Sequence, residues 1–197
     1  HILTLILLAG MSAMVMNMFL PSLPNMTEYF QTEYRLMQLS VALYLAVSAV
    51  LQVVIGPISD NLGRRPVILW GLGLFRLATP GCIFAPSAAV FLAFRMCQAV
   101  VAVAMVLSRA VVRDMFAQDR AASMIGYVTM GMAVVPMLSP AVGGVLDELF
   151  GWRANFVTYT LFGVLALLLC WFDLGETNLS RSVNFRQQFK SYPLPLK

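Results

Sequence analysis

A short polar stretch, GPISDNLGRRP at 56–66, separates two long apolar runs. It holds one carboxylate, Asp60, and two guanidinium groups, Arg64 and Arg65. Asp60 can pair with these arginines or lie against a helix N-terminus, where a negative charge is stabilised by about 0.3–1 kcal/mol. Such a contact can break and re-form as helices slide. We therefore interpret the stretch as a candidate conformational latch; the alternative is a static anchoring loop.

Polar side chains also recur at helical spacing inside the apolar runs. One such set shares a face in the second run: Tyr44, Ser48 and Gln52. Another shares a face in the fourth run: Arg95, Gln98, Ala102, Met105 and Arg109. Within a membrane, polar faces are turned to a partner helix or to a water-filled cavity, so these residues are either cavity groups or bonds between helices.

Arg95 is the most demanding of these residues, because it lies well inside its apolar run. A central Arg costs at least about 2.5–3.5 kcal/mol in a bilayer, so it needs a partner or water. We expect a functional charge; the alternative is an Arg bonded to backbone carbonyls.

Groups for enzymatic or metal chemistry are missing from the sequence. The single histidine is His1, there is no HExxH pattern, and the cysteines at 82, 97 and 170 lie in apolar runs without CxxC spacing. Serine or metal-dependent catalysis needs a base or ligands of these kinds. We therefore expect no enzyme activity and no cofactor or metal, and we interpret the cysteines as packing residues.

The composition predicts an all-α membrane protein. Of 197 residues, 60% are hydrophobic and 11% are charged, whereas soluble domains carry about 25% charged residues. A membrane span takes about 20 apolar residues. The apolar runs predict six spans in a unit covering 1–172, followed by a linker at 173–197. The predicted spans are 2–20, 38–58, 66–85, 88–108, 123–146 and 154–172.

Lys and Arg are distributed unevenly between the two sides of these spans. One side carries Arg64, Arg65, Arg109, Arg113, Arg120, Arg181, Arg186, Lys190 and Lys197. The opposite side carries Arg35 and Arg153. By the positive-inside rule both ends of the chain are expected in the cytoplasm. The placement of the charges in the individual loops matters more than the net charge of +4, and no nucleic-acid partner is expected.

Glycine and proline residues predict local breaks in the helices. Gly56 and Pro57 are expected to interrupt the second span, Gly63 to adopt a left-handed conformation that closes the turn, and Pro66 to lie in the first turn of the next helix. In the third span Arg76 and Pro80 interrupt an otherwise apolar helix, and the sequence suggests no role for Arg76. In the fifth span Pro136, Pro140 and Gly144 share one face, beside Ser139 and Gly143.

Several of these patterns together resemble a known family. Gly56-x-x-x-Asp60-x-x-Gly63-Arg64-Arg65-Pro66 resembles the loop signature of the major facilitator superfamily. Arg95-x-x-Gln98 resembles its second motif, although Ala99 and Val101 replace the expected glycines. SPAVGG at 139–144 resembles the antiporter motif. FLPSLP at 19–24 and Arg109-x-x-x-Arg113-Asp114 resemble drug–proton antiporters of the bicyclomycin-resistance type.

The resemblance implies a transporter of twelve spans, of which this chain is the N-terminal half, and a missing C-terminal six-helix half as partner. It implies alternating access at a cavity between the halves, with export of small apolar drugs in exchange for protons across a bacterial inner membrane. The alternative is a facilitator or importer of a small organic solute, although SPAVGG favours export. A self-contained six-helix channel is less favoured, because the tail runs on past Arg186 as a linker would.

The resemblance also assigns roles to residues. The latch would consist of Asp60, Gly63, Arg64, Arg65, Arg113 and Asp114. Cavity and coupling residues would be Arg95, Gln98, Asn17, Tyr44 and Gln52. The helix that packs on the partner half would be shaped by Pro136, Pro140, Gly143 and Gly144.

Asn17 departs from the pattern of related antiporters, which often carry an acid at this place in the first span. Asn cannot bind and release a proton, and the acids of this chain fall at or beyond the ends of the predicted spans. Either the coupling acid lies in the other half, or this protein does not couple transport to protons.

Overall fold

The computed structural model describes residues 2–116 and 118–177. Of the basic residues in the tail, Arg181, Arg186, Lys190 and Lys197 lie outside this range, as does the linker from residue 178 onwards. The described chain is helical and contains no strand. Its helices are α1 (Ile2–Asn17), α2 (Leu23–Tyr29), α3 (Tyr34–Leu62), α4 (Arg64–Ile83), α5 (Ala88–Gln98), α6 (Ala102–Met115), α7 (Gln118–Phe150) and α8 (Arg153–Asp173).

Short 3-10 segments join two pairs of these helices. Leu20–Ser22 connects α1 to α2, and Ala99–Val101 connects α5 to α6. Within the described chain, six helical stretches are long and apolar enough to cross a membrane: Ile2–Tyr29, Tyr34–Leu62, Arg64–Ile83, Ala88–Met115, Arg120–Phe150 and Arg153–Asp173. The expected fold class, an all-α protein with six candidate spans, is confirmed.

The first helix lies at the centre of the bundle. α1 packs against α6, α7 and α8, while α4 packs against α5, α6 and α8. Leu5, Leu8 and Val15 of α1 are fully buried. The seam between α1 and α7 is close, because a side chain at Gly131 would press on Ile6. Small residues let helices approach in this way within membranes.

The prediction that Gly56 and Pro57 interrupt the second span is wrong, because α3 continues through both residues to Leu62. Pro lacks the backbone N–H, so the helix loses one hydrogen bond there. Side chains bond to the carbonyls of this turn: Asn61 donates to Pro57 O at 3.0 Å, and Ser59 donates to Gly56 O at 2.9 Å. These bonds add to the last turn of α3, but they do not replace the bond lost at Pro57, whose acceptor would be the carbonyl of Val53.

The third span is a continuous helix, because α4 runs unbroken through Arg76 and Pro80 to Ile83. Two further differences lie at the opposite end of the bundle from Arg64. The gap after the first span contains α2, and α7 extends past the predicted end of the fifth span. Asp147, expected in a loop, is therefore a helical residue that is only 8% exposed.

Candidate functional site

Arg64 is the centre of a charged cluster where three helices meet. Its Nη1 lies 2.5 Å from Asp60 Oδ1 in the last turn of α3. Its Nε donates a hydrogen bond to Asp114 Oδ2 at 3.0 Å, at the end of α6. Ser59 Oγ accepts a further bond from Nη1 at 2.5 Å. The Arg64 guanidinium, in the first turn of α4, thus joins the ends of α3, α4 and α6.

Gly63 is the one residue between α3 and α4. Its φ is +103°, so the positive φ expected from the sequence is confirmed. A side chain there would be strained and would also collide with the carboxylate of Glu176. Glu176 Oε1 accepts a hydrogen bond of 2.9 Å from the backbone N–H of Arg64. The Glu176 carboxylate therefore lies at the N-terminus of α4. The sequence suggests this position as one of two alternatives for Asp60.

Two predicted latch residues lie outside this cluster. Arg65 donates to the backbone carbonyl of Trp171 at 3.0 Å, and its Cζ lies 5.9 Å from the centre of the Trp171 ring. Arg65 thus ties α4 to α8 instead. Arg113 is exposed and lines a separate cavity.

Arg95 is fully buried where α1, α3 and α5 meet. Its Nη1 donates to Gln98 Oε1 at 2.8 Å, and its Nη2 donates to the backbone carbonyl of Val15 at 2.8 Å. Gln98 in turn donates to Thr79 Oγ1 at 3.0 Å. A continuous polar chain therefore links α1, α5 and α4. The backbone-carbonyl contact of the alternative interpretation is present, but it satisfies only part of this guanidinium.

Two aromatic rings also contact the Arg95 guanidinium. Its Cζ lies 4.0 Å from the centre of the Phe19 ring and 4.4 Å from that of Tyr44. Cation–π contacts of this kind are worth about 2 kcal/mol or more when desolvated. Within the described residues Arg95 has no ion pair, and its Nε has no hydrogen-bond partner. The site is thus a fixed, buried positive charge without a carboxylate counterion in this part of the chain.

The structure divides the predicted cavity residues between two places. Tyr44 and Gln98 contact Arg95, whereas Gln52 lines a cavity of about 360 Å³ together with Arg109 and Arg113. Arg109 donates to Met132 Sδ at 3.4 Å, and its Nε is buried without a partner among the described residues.

Asn17 is bonded to its own helix. Its Nδ2 donates to the backbone carbonyl of Ala13 at 2.7 Å, and the side chain is half-buried. This local bond uses one donor of the amide within α1.

The glycines of the SPAVGG stretch lie against the segment that follows α1. A side chain at Gly143 would overlap the backbone carbonyl of Met18, and one at Gly144 would lie 3.7 Å from Pro21 Cβ. Asn155 of α8 donates to Gly143 O at 3.3 Å. Pro136, before this stretch, and Pro140, within it, are half-buried in the continuous helix α7.

Three residues make contacts that could not be predicted from the sequence. Val15 contributes a backbone carbonyl, which no residue type reveals, and Glu176 comes from the segment after α8. Asp147 is the third: it is buried and accepts a hydrogen bond of 2.6 Å from Asn25 Nδ2. The only available signal was its position one turn after Gly143, on the same helical face.

Comparison with known proteins identifies the family. The family model described as Major Facilitator Superfamily matches residues 5–196. Over 189 residues the chain is 34% identical to a chloramphenicol resistance protein of Pseudomonas aeruginosa, covering 95% of this chain and 45% of that protein. Over 178 residues it is 30% identical to a bicyclomycin resistance protein homolog of Haemophilus influenzae, covering 90% of this chain and 45% of the relative.

A solved structure supports the same fold. The human organic anion transporter MFSD10 matches with a TM-score of 0.77 at 22% identity, over 93% of this chain and 50% of that one. The chain spans about half the length of the relatives it matches. The predicted resemblance is confirmed: with six helices that can span a bilayer, this chain is an integral membrane protein and belongs to the major facilitator superfamily, a family of transporters rather than enzymes.

Proposed function

We propose that this chain is the N-terminal half of a secondary transporter that exports antibiotics or other small apolar drugs by proton antiport. The observation that carries the proposal is the match, over most of the chain, to proteins named for resistance to chloramphenicol and bicyclomycin. Its other partners are the lipid bilayer and a second six-helix half. We place it in a bacterial inner membrane with both ends in the cytoplasm, as its Lys and Arg distribution favours.

The Arg64 cluster supplies the conformational part of this proposal. In alternating access, the cavity opens to one side as the halves rock against each other. The cytoplasmic side alternates between an open and a closed state. In one of these states the ion pairs of Arg64 with Asp60 and Asp114 hold the ends of α3, α4 and α6 together. These pairs are partly exposed, so water can replace them when the helices separate.

Arg95 supplies the coupling part. A buried cation without a carboxylate counterion responds strongly to any change of charge nearby, because the local dielectric constant is low. Protonation or deprotonation of an acid facing the cavity therefore alters the environment of this guanidinium. We propose that the acid belongs to the second half, because Asn17 cannot supply a proton.

Drug sensitivity of cells tests the proposed substrate class. Cells that express the full-length transporter should tolerate more chloramphenicol or bicyclomycin than cells with an empty vector. They should also accumulate less drug, and a protonophore should remove both effects. Unchanged drug tolerance together with faster uptake of a small organic solute would contradict export and favour the importer alternative.

A further inference from the structure

An open groove of about 1010 Å³ runs between α4 and α8, on the outside of the bundle. Two tryptophans line it, Trp70 at 72% exposure and Trp171 at 60%. Its remaining lining is mainly leucine, with one charged side chain, Arg76. Along α4 the lining extends from Pro66 to Pro80, or about 21 Å at the rise of an α-helix. That length matches an extended lipid acyl chain.

This face of the bundle is the one that meets lipid. The least buried spans are those of α3 and α7, with 22% and 11% of their apolar windows inside the bundle, against 44% for α4 and 33% for α8. A second half of the transporter would therefore cover α3 and α7, where most apolar surface is left open. The groove between α4 and α8 remains turned to the bilayer.

Arg76 lies deep within the span. It is seven residues before Ile83, the last residue of α4, and thus about 10 Å from that end of the helix. The end of α4 is tied to the start of α8, because Arg153 donates to Ile83 O at 3.0 Å. Thr160 lines the groove seven residues after Arg153. Thr160 therefore lies at the depth of the Arg76 guanidinium, and its hydroxyl, which donates to Phe156 O at 3.0 Å, has only acceptor capacity left. Arg76 is thus the group in the groove that can donate to an anion.

Arg76 is exposed and makes no hydrogen bond or ion pair within the described residues. A cation in the hydrocarbon region requires an anion or water, which long side chains and local thinning of the bilayer bring within reach. A second copy of this chain offers no suitable carboxylate, because the acids of the described helices lie near helix ends. A membrane lipid provides both the anion and the apolar chain.

We propose that this groove binds an anionic phospholipid, with the phosphate on the Arg76 guanidinium beside Thr160 and an acyl chain along α4 toward Trp70 and Trp171. A guanidinium binds phosphate through two parallel hydrogen bonds. A lipid with net negative charge is preferred over a zwitterionic one, because it brings no cation of its own into the groove.

The two tryptophans of the groove report directly on its occupant. The full-length protein is reconstituted in phosphatidylcholine with increasing fractions of brominated phosphatidylglycerol or brominated phosphatidylcholine, and tryptophan quenching is measured. Buried Trp152 and any tryptophans of the second half contribute a background, which is measured with a W70F/W171F variant and subtracted. We expect half-maximal quenching at an about fivefold lower fraction of the anionic lipid. R76Q should abolish this preference, and R76K should keep most of it.

The matched control is R35Q, which removes an exposed charge from the start of α3, outside the groove, and should leave the preference unchanged. Unchanged quenching of R76Q by brominated phosphatidylcholine shows that the variant is folded. Equal quenching of the unaltered protein by both lipids would overturn the proposal, as would a preference that survives R76Q. Weak quenching by both lipids would also overturn it, because protein rather than lipid would then cover the groove. None of these outcomes depends on drug export.

Discussion

The guanidinium of Arg95 donates a 2.8 Å hydrogen bond to the backbone carbonyl of Val15, across the interface between α5 and α1. This bond fixes a buried charge to the central helix of the bundle. Because the acceptor belongs to the backbone, only the side chain of Arg95 can be altered to break it. Any movement of α1 relative to α5 must therefore change the position or the bonding of this charge.

Replacement of Arg95 should impair export more than it impairs insertion. R95K keeps the charge but cannot bond to Gln98 and Val15 together while lying on the Phe19 ring, since Lys lacks the planar fork of Arg. We expect drug efflux by R95K and R95Q to fall about tenfold or more, equivalent to about 1.4 kcal/mol. Efflux from vesicles, scaled to the amount of protein inserted, measures this; R35Q is the control. Full efflux by R95K would contradict the proposed role.

Neutralising the Arg64 cluster should separate transport from stability. Partly exposed ion pairs contribute at most about 1 kcal/mol each, so D60N and R64Q should insert and unfold nearly as the unaltered protein does. Their drug efflux should nevertheless be abolished, because the ion pairs through which Arg64 joins the ends of α3, α4 and α6 are lost.

R65Q is the matched control for this cluster, because Arg65 bonds to Trp171 on α8 instead. It should retain most of the efflux. If transport survives in both D60N and R64Q, the latch is disproved.

The close seam of α7 with Met18, directly after α1, can be tested with two glycines of α7. An Ala at Gly143 would overlap the Met18 carbonyl, whereas nothing lies within 4 Å of a side chain at Gly126. Overpacking costs about 1–3 kcal/mol, so G143A should lower the thermal unfolding temperature. G126A should leave it unchanged or raise it, since Ala is the better helix former. Equal effects of the two substitutions would argue against the close seam.

Glu176 should stabilise the start of α4 electrostatically. Removing its charge with E176Q weakens the interaction with the N-terminal helix dipole and with the Arg64 N–H, an effect of about 0.3–1 kcal/mol. The loss in unfolding temperature should shrink at high salt, because salt screens charges near the surface. E148Q, at an exposed acid near the end of α7, should have little effect at either salt concentration. A loss that is independent of salt would exclude this explanation.

Much of the fold follows from the sequence, because the lengths of apolar runs identify spans and the spacing of Asp60 and Arg64 places both at one helix junction. Contacts between distant segments do not follow: Asp114 completes the Arg64 cluster from 50 residues away, and Val15 bonds to Arg95 across 80 residues. Pro57 did not end the helix as predicted, because α3 tolerates the loss of one backbone donor and continues to Leu62. The sequence shows that Arg76 is an unusual charge within an apolar span. It does not show the groove around Arg76, because that groove forms only where α4 packs against α8.

Export driven by a proton gradient is the central claim, and it is measured most directly in proteoliposomes that contain the full-length transporter and a fluorescent or radiolabelled drug. We predict that drug moves against its concentration gradient when a pH gradient is imposed, and that a protonophore stops this movement. If drug moves equally well after the pH gradient has been collapsed, the transporter does not couple export to protons.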